Sequence, residues 1–245
     1  MLWSRPETKH LSGKLLIIGG NKHGFSDVVS AYNTADTNGA GIIRVVMPNA
    51  LQKIAGPLID FGDFTPSTPS GSFARESLAT LIEQSLWADA TLLAGDFGRN
   101  SETGILIESF IAKNSQPIVV TKDAADYYIG FAHNIKNKHQ HTVVVSFAQL
   151  QKLATNLKWQ TAFTFKKTFL QVTNNLEAFC AQHQLMVITK FHTQIIASNG
   201  KQTLIHSLKQ DKESWRLHTA AKASVWLMQN PNKPIEAIAC SLVDS

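Results

Sequence analysis

Short continuous apolar runs alternate along the chain with longer stretches whose apolar positions fall at helical spacing. Leu15–Ile18 reads as a strand buried on both faces, Ile42–Met47 and Ala90–Ala94 as further buried strands, and Pro117–Val120, His141–Val145 and Met186–Thr189 as strands. Between them lie amphipathic stretches. One starts at Ser26 and carries Val28, Val29, Ala31, Tyr32 and Ala35; Phe73–Trp87 follows, with Leu78, Leu81, Ile82 and Leu86 on one side. Others run from about Arg99 to Asn114, over Ser146–Leu153, and over Phe165–Gln184, where Phe169, Val172, Leu176 and Phe179 share the inner face. Ile195–Ala197 is a further strand, and Ser198-Asn199-Gly200-Lys201 predicts a type I′ hairpin turn. Helices over about Leu217–Asn230 and Pro234–Val243 close the pattern, Pro234 suiting a first helical turn. Residues 49–59, broken by Pro57, predict a short crossover, and Phe64–Ser72 a polar loop. The alternation predicts an α/β fold with a mainly parallel sheet.

Within that pattern, Lys14 to Pro48 is one βαβ unit. Its first strand stops at Gly19-Gly20, and a loop to Gly24 leaves three positions free to take positive φ or to let a ligand approach the backbone. Ser26 is placed to cap the helix, and Asp27 puts a negative charge in its first turn. A glycine turn at the carboxyl end of a strand is where open α/β sheets hold ligands. Neither GxGxxG nor GxxxxGK[ST] is present.

Composition narrows the class. Apolar residues make up 44% and charged residues 17% of the 245, so the chain can bury a sizeable core, and one domain over 1–245 suffices. MLWSRPETKH lacks the apolar core of a signal peptide, no run is long enough to cross a bilayer, and Cys180 and Cys240 make neither a metal spacing nor a disulfide framework. A reducing cytoplasm is expected. The net charge of +5 suits an acidic partner. Lys136, Lys138, His139 and His141 cluster, with Lys113, Lys122, Lys166 and Lys167 elsewhere, but no stripe of charge with stacking aromatics is visible. Nucleotide phosphates are therefore the expected anions and nucleic acid is not.

The lysine, apolar strand, Gly19-Gly20, loop to Gly24, helix, and Gly39-Ala40-Gly41 before a valine-rich strand resemble the opening of the NAD(P)H-hydrate dehydratases. Membership of that family implies a ribokinase-like α/β fold, its mainly parallel central sheet sandwiched between helices. It implies ATP or ADP with Mg²⁺ as cofactors and a hydrated NAD(P)H as substrate. It also implies a tendency to self-assemble. The resemblance places ligand contacts at Gly19, Gly20, Gly24, Gly98, Asp123 and Lys190.

The same comparison locates departures at each place where chemistry is expected. Where the family carries Gly-Pro-Gly-Leu-Gly, this chain reads Gly95-Asp96-Phe97-Gly98, and a carboxylate beside a phosphate-rich ligand is unfavourable unless a cation lies between them. Thr121 and Asp123 fall at the family's two aspartates, Ser146 at its histidine and Gln149 at its glutamate. In the LKGxxT strand-turn that supports adenine, Lys190 is kept while Phe191 and Gln194 replace the glycine and the threonine. A benzyl group in place of hydrogen is expected to crowd the nucleotide. The Gly-Thr-Gly-Asp turn that holds the transferring phosphate and supplies the general base is missing. Here the helix begins Ser214-Trp215-Arg216-Leu217-His218, no glycine follows Gly200, and Leu217 stands at or near the aspartate.

No residue is therefore assigned a catalytic role. Asp211, Glu213 and His218 lie near enough to replace the lost base, and Arg216 near enough to meet phosphate, yet all four also read as solvated loop or helix surface. His139 and His141 lack a third ligand at metal spacing, Cys180 reads as packed, and His192 reads as structural. Three readings stand. The chain is a non-catalytic relative that binds a nucleotide or dinucleotide; or a dehydratase or small-molecule kinase with relocated groups; or a scaffold whose pocket Phe25, Phe97 and Phe191 fill.

Overall fold

A computed structural model describes residues 6, 8–56, 62–135, 138–208 and 214–243. Strand β1 (Lys14–Gly19) leads through α1 (Ser26–Thr37) to β2 (Ile42–Pro48), then α2 (Gln52–Ala55) and the short strand β3 (Gly62–Thr65). Helix α3 (Leu78–Trp87), β4 (Ala90–Gly95), α4 (Ser101–Lys113), β5 (Ile118–Thr121), α5 (Lys122–Phe131), β6 (His141–Val145) and α6 (Phe147–Asn156) continue the alternation. After α7 (Phe169–His183) come β7 (Met186–Phe191), β8 (Gln194–Ser198), β9 (Thr203–Ser207), α8 (Trp215–Gln229) and α9 (Pro234–Val243).

One nine-stranded sheet takes the order β3-β2-β1-β4-β5-β6-β7-β8-β9. Pairing is parallel from β3 to β7, and β8 and β9 run antiparallel. Along β1, Leu16 and Ile18 face the layer formed by α3 to α7, whereas Leu15 and Ile17 face α1, α8 and α9. All four are fully buried, which is why the run is continuously apolar rather than alternating. Burying each such side chain stabilises the fold by about 1.5–3 kcal/mol. The central sheet between two helical layers is as expected.

Several boundaries differ from the sequence pattern. Ser26 does not cap α1: Phe25 is the N-cap residue, no side chain of the helix caps itself, and the Asp96 carboxylate accepts from the Asp27 amide at 2.9 Å instead. Strand β3 occupies Gly62–Thr65, where the sequence predicts loop from Phe64. Its stability comes from its pairing with Val45–Pro48, since four residues before a proline carry little strand signal of their own. Pro57 and residues 58–61 lie outside the described residues, as do Lys136, Asp211 and Glu213. Leu86 is 65% exposed rather than inward. Helix α5 has no counterpart in the sequence reading, and α7 starts at Phe169 rather than Phe165. Thr168 and Gln171 form a capping box there, which fixes the start and leaves Phe165 on the preceding connector. In the β8–β9 turn only Gly200 has positive φ, at the first central position of Asn199–Gln202. That is the φ pattern of type II′ rather than I′.

Strand order reverses between β1 and β4. The chain fills one side of β1 with β2 and β3, then crosses to β4 and builds outwards. The loops leaving these two strands, residues 19–25 and 95–100, meet above the point of reversal, which is where the ligand crevice of an open α/β sheet lies.

Candidate functional site at the strand switch point

The two loops are joined by backbone. The Gly20 amide donates to the Gly95 carbonyl at 3.0 Å, and Asn21 Nδ2 donates to the Asp96 carbonyl at 2.5 Å. Asn21 and Gly24 exchange two backbone hydrogen bonds, of 2.9 and 3.0 Å, closing the glycine loop on itself. Gly20 has φ +92°, and a Cβ there would meet Leu51, Phe25 and Met47. Its glycine serves the turn, not the approach of a ligand. Gly24 differs: a Cβ would meet only the Asp96 carboxylate, at 3.7–3.9 Å, so its surface faces the crevice.

Asp96 is the centre of the arrangement. It holds φ +59°, a conformation that costs about 1–2 kcal/mol for most residues and less for aspartate. From there its carboxylate caps α1 and occupies the helix N-terminus, the position at which such a fold would receive a ligand's phosphate. Lys122, also at positive φ (+55°), places Nζ 3.3 Å from Asp27 Oδ2 and ties α5 to α1. Burial, with the Asp96 charge adding to it, raises the Asp27 pKa, and Lys122 opposes the rise.

Asp123 completes the group. Its Oδ2 accepts from the Gly98 amide at 3.1 Å, while Oδ1 is buried without a hydrogen-bond partner in good geometry. Burial pushes its carboxyl up to about 6. The Gly98 amide and, more weakly, the Phe97 amide pull it down; the charges of Asp96 and Asp27 push it up. A Cβ on Gly95 would lie 3.1 Å from Asp27 Oδ2 and 3.3 Å from Asp123 Oδ1, so this glycine is what lets the two carboxyls approach. Among the described residues no three His, Cys, Asp or Glu side chains are grouped to hold a metal ion. Lys122 on Asp27 would repel one, so the residues present do not form a protein-held Mg²⁺ site.

Gly24 lines a groove along α1, Gly98 and Asp123 line a separate opening, Gly19 and Gly20 are buried beneath the loop, and Lys190 lines neither opening. It leaves β7, two strands beyond β5, roughly 10 Å away by strand spacing, with Nζ 5.7 Å from the Trp215 ring. The positions matched to the family's histidine and glutamate serve the fold. Ser146 and Gln149 form the capping box of α6; Gln149 Nε2 donates to the Lys122 carbonyl at 2.8 Å, and its Oε1 accepts from Arg216 Nη1 at 2.8 Å. Arg216 is therefore held towards the crevice rather than free at the surface. Leu217 is 2% exposed and belongs to the core beneath α8, so nothing at that position reaches a substrate.

His218 Nδ1 lies 2.9 Å from Thr34 Oγ1. Both line an open groove of about 730 Å³ that runs from Gly24 and Phe25 along α1. A second opening, about 340 Å³, lies beside Gly98, Asp123 and Tyr127. Phe97 is fully buried against Phe73, Phe191 is buried against Phe147, and Phe25 stands at the rim of the larger groove. Of the three phenylalanines expected to fill a pocket, two are core residues and one is a wall. Lys122 and Arg216 were the contributors that sequence reasoning missed or set aside. The one available signal was the lysine directly preceding Asp123.

No protein-family model matches this sequence. Over 118 residues it is 27% identical to the bifunctional NAD(P)H-hydrate repair enzyme Nnr of Moorella thermoacetica, a match spanning 47% of this chain and 22% of that enzyme. Among solved structures, a ribokinase-like superfamily protein from Enterococcus faecalis superposes with a TM-score of 0.76 at 13% identity, over 98% of this chain and 81% of that one. The ADP/ATP-dependent NAD(P)H-hydrate dehydratase from Bacillus subtilis, co-crystallized with ATP and Mg²⁺, gives a TM-score of 0.64 at 12% identity, over 96% and 79%. The chain has the ribokinase-like fold of the NAD(P)H-hydrate dehydratases and is a distant homologue of the Nnr repair enzyme.

Proposed function

We propose that this protein is a non-catalytic relative of the NAD(P)H-hydrate dehydratases that binds an adenine nucleotide or an NAD(P)H-derived dinucleotide at the strand switch point. The observation that carries the reading is the buried Leu217 at the start of α8, where the resemblance expects the general base. Without a carboxylate there, and without glycines to open the helix N-terminus as an anion hole, phosphoryl transfer has neither its base nor its charge stabilisation. The open surface at Gly24 and the opening beside Gly98 and Asp123 are left for binding. The Asp96 charge opposes phosphate, so binding depends on a divalent cation arriving with the nucleotide. The reading keeps the chain as one domain over 1–245, cytoplasmic and self-associating.

The test combines two measurements on the purified protein. Calorimetry with ADP, ATP and NADPH, with and without Mg²⁺, is expected to show binding. Incubation with hydrated NADH, Mg²⁺ and ATP or ADP is expected to return no NADH. Turnover would remove the non-catalytic part of the proposal, and absence of binding the ligand part.

One observation favours a second reading, in which catalysis survives with relocated groups. Asp123, with a carboxyl raised to about 6 and an unpartnered oxygen, has the properties of a general base near neutral pH. On that reading ATP or ADP with Mg²⁺ supports turnover, and Asp123→Asn abolishes it while leaving binding intact.

A further inference from the structure

Residues 127–176 contain six lysines and no aspartate or glutamate. Folding gathers much of this stretch onto one face. Helix α6 runs back from the carboxyl edge of the sheet, and the connector 157–168 returns along the seam between α6 and α7. The connector is anchored along its length. Gln151 Nε2 donates to the Phe163 carbonyl at 2.7 Å, Trp159 Nε1 donates to Asn175 Oδ1 at 3.0 Å, and Asn175 Nδ2 donates to the Thr161 carbonyl at 3.0 Å. Phe163 is buried, edge-on to Phe147 and Phe179.

This fixed strap carries Lys158, Lys166 and Lys167, while Lys152 of α6 turns towards Asp126 of α5. No carboxylate among the described residues lies within ion-pair distance of the first three. The acids on neighbouring elements are accounted for. Asp126 of α5 reaches only Lys152, at 4.0 Å with both side chains exposed, and Glu177 of α7 accepts from Thr203 at 2.6 Å on the β9 side. At the head of the strap Phe165 is 60% exposed. It lies nearly parallel to Phe191 (15°, 5.8 Å between centroids) and against Phe147 (4.5 Å). Its ring is a braced, flat platform with lysines next to it. A shallow groove of about 520 Å³ lies between α5 and α6, lined by Ile129, Ala148, Gln151, Lys152, Thr155 and Asn156.

We infer that this face binds single-stranded nucleic acid, with the phosphodiester backbone along Lys158, Lys166 and Lys167 of the strap and one base stacked on Phe165. Lysines alone would suit any polyanion. The braced aromatic selects an unpaired base, because a duplex hides its base faces and a ring packed on two others cannot plunge into a bilayer. None of the strap lysines lines the glycine crevice, although Phe165 is braced by Phe191 of the strand-turn that the resemblance assigns to the adenine.

The test is fluorescence anisotropy of the full-length protein with an oligo(dT) and an oligo(rU) of about 16 nucleotides. Binding is expected to weaken with salt, and the log–log slope to flatten by about 0.7 for each lysine replaced, hence by about 2 in K158Q/K166Q/K167Q. Phe165→Ala is expected to weaken oligonucleotide binding about tenfold without changing that slope. All four residues sit outside the main core packing, and unchanged melting temperatures verify that the variants fold. No measurable binding at about 50 mM salt overturns the proposal. So does binding that ignores the lysine variants. Binding of anionic phosphatidylserine vesicles or heparin as tight as that of the oligonucleotide, and insensitive to Phe165→Ala, makes the face a general polyanion surface and overturns it as well.

Discussion

The Gly98 amide donates to the Asp123 carboxylate at 3.1 Å, joining the loop after β4 to the first turn of α5. That bond satisfies one carboxylate oxygen and leaves the other buried and unpartnered, between the charges of Asp96 and Asp27. The folded protein therefore holds the Asp123 proton more tightly than the unfolded chain, and the difference can be measured.

Because the folded-state pKa is raised, from 3.8 to about 6, Asp123 favours folding fully only below about pH 4, and that contribution is lost as pH rises through about 6. Asparagine keeps the acceptor for Gly98 and carries no charge. Asp123→Asn is expected to match the wild type in stability at low pH and to exceed it by about 3 kcal/mol at pH 7. Urea unfolding of both proteins across pH 4–8 checks this; a constant difference across that range contradicts it. Asp27, also raised by burial, changes stability in the same direction.

Asp96 occupies the α1 N-terminus where a phosphate would sit. Asp96→Gly relieves the positive φ and removes the cap, two effects of about 1 kcal/mol and opposite sign, so stability should change little. ADP affinity without Mg²⁺ should rise about tenfold, because a like charge leaves the site. Calorimetry reads this directly, and unchanged affinity would show that the nucleotide phosphates lie elsewhere.

Two glycines of one loop should behave differently. Gly20→Ala places a side chain at φ +92° against Leu51, and is expected to cost about 1–2 kcal/mol of stability. Gly24→Leu has room in the fold and is expected to leave the melting temperature nearly unchanged while weakening nucleotide binding. Equal effects on binding from both, in proportion to stability, would mean that the loop does not contact ligand.

Tethering through Gln149 yields a further expectation. Gln149→Ala frees both the Lys122 carbonyl and Arg216 and removes half of the α6 capping box, so a loss of about 2–3 kcal/mol is predicted. A variant as stable as the wild type would show that the bonds of Gln149 contribute nothing net.

Much of the fold was legible because β1, β4, β5, β6 and β7 are buried on both faces and declare themselves as continuous apolar runs, as β2 does over Val45–Met47. β3 was not legible, since its stability lies in pairing with β2, and α5 was not read between the strands Pro117–Val120 and His141–Val145. The crevice glycines could be located from the turn after β1, but what they do could not. Gly20 answers to backbone geometry and Gly24 to open space, a distinction that exists only once Leu51, Met47 and Asp96 have packed. Asp96 was read as a repulsive substitution, whereas in the structure it also caps α1 across 69 positions of sequence. Phe165, read as the start of α7, stands outside that helix because Thr168 caps it. Its placement beside Lys166 and Phe191 could not be seen in the linear pattern.

The central claim, that the switch-point crevice still binds a nucleotide, is tested most directly by thermal unfolding with ATP, ADP, AMP, NADH and hydrated NADH, each with and without Mg²⁺. At about a hundred times its dissociation constant a ligand adds about 2.7 kcal/mol of stability, well within reach of a melting curve. The account predicts a rise in melting temperature with at least one adenine nucleotide or dinucleotide, larger with Mg²⁺ and diminished in Gly24→Leu. No shift with any of the five would contradict it and leave this fold without a nucleotide at its crevice.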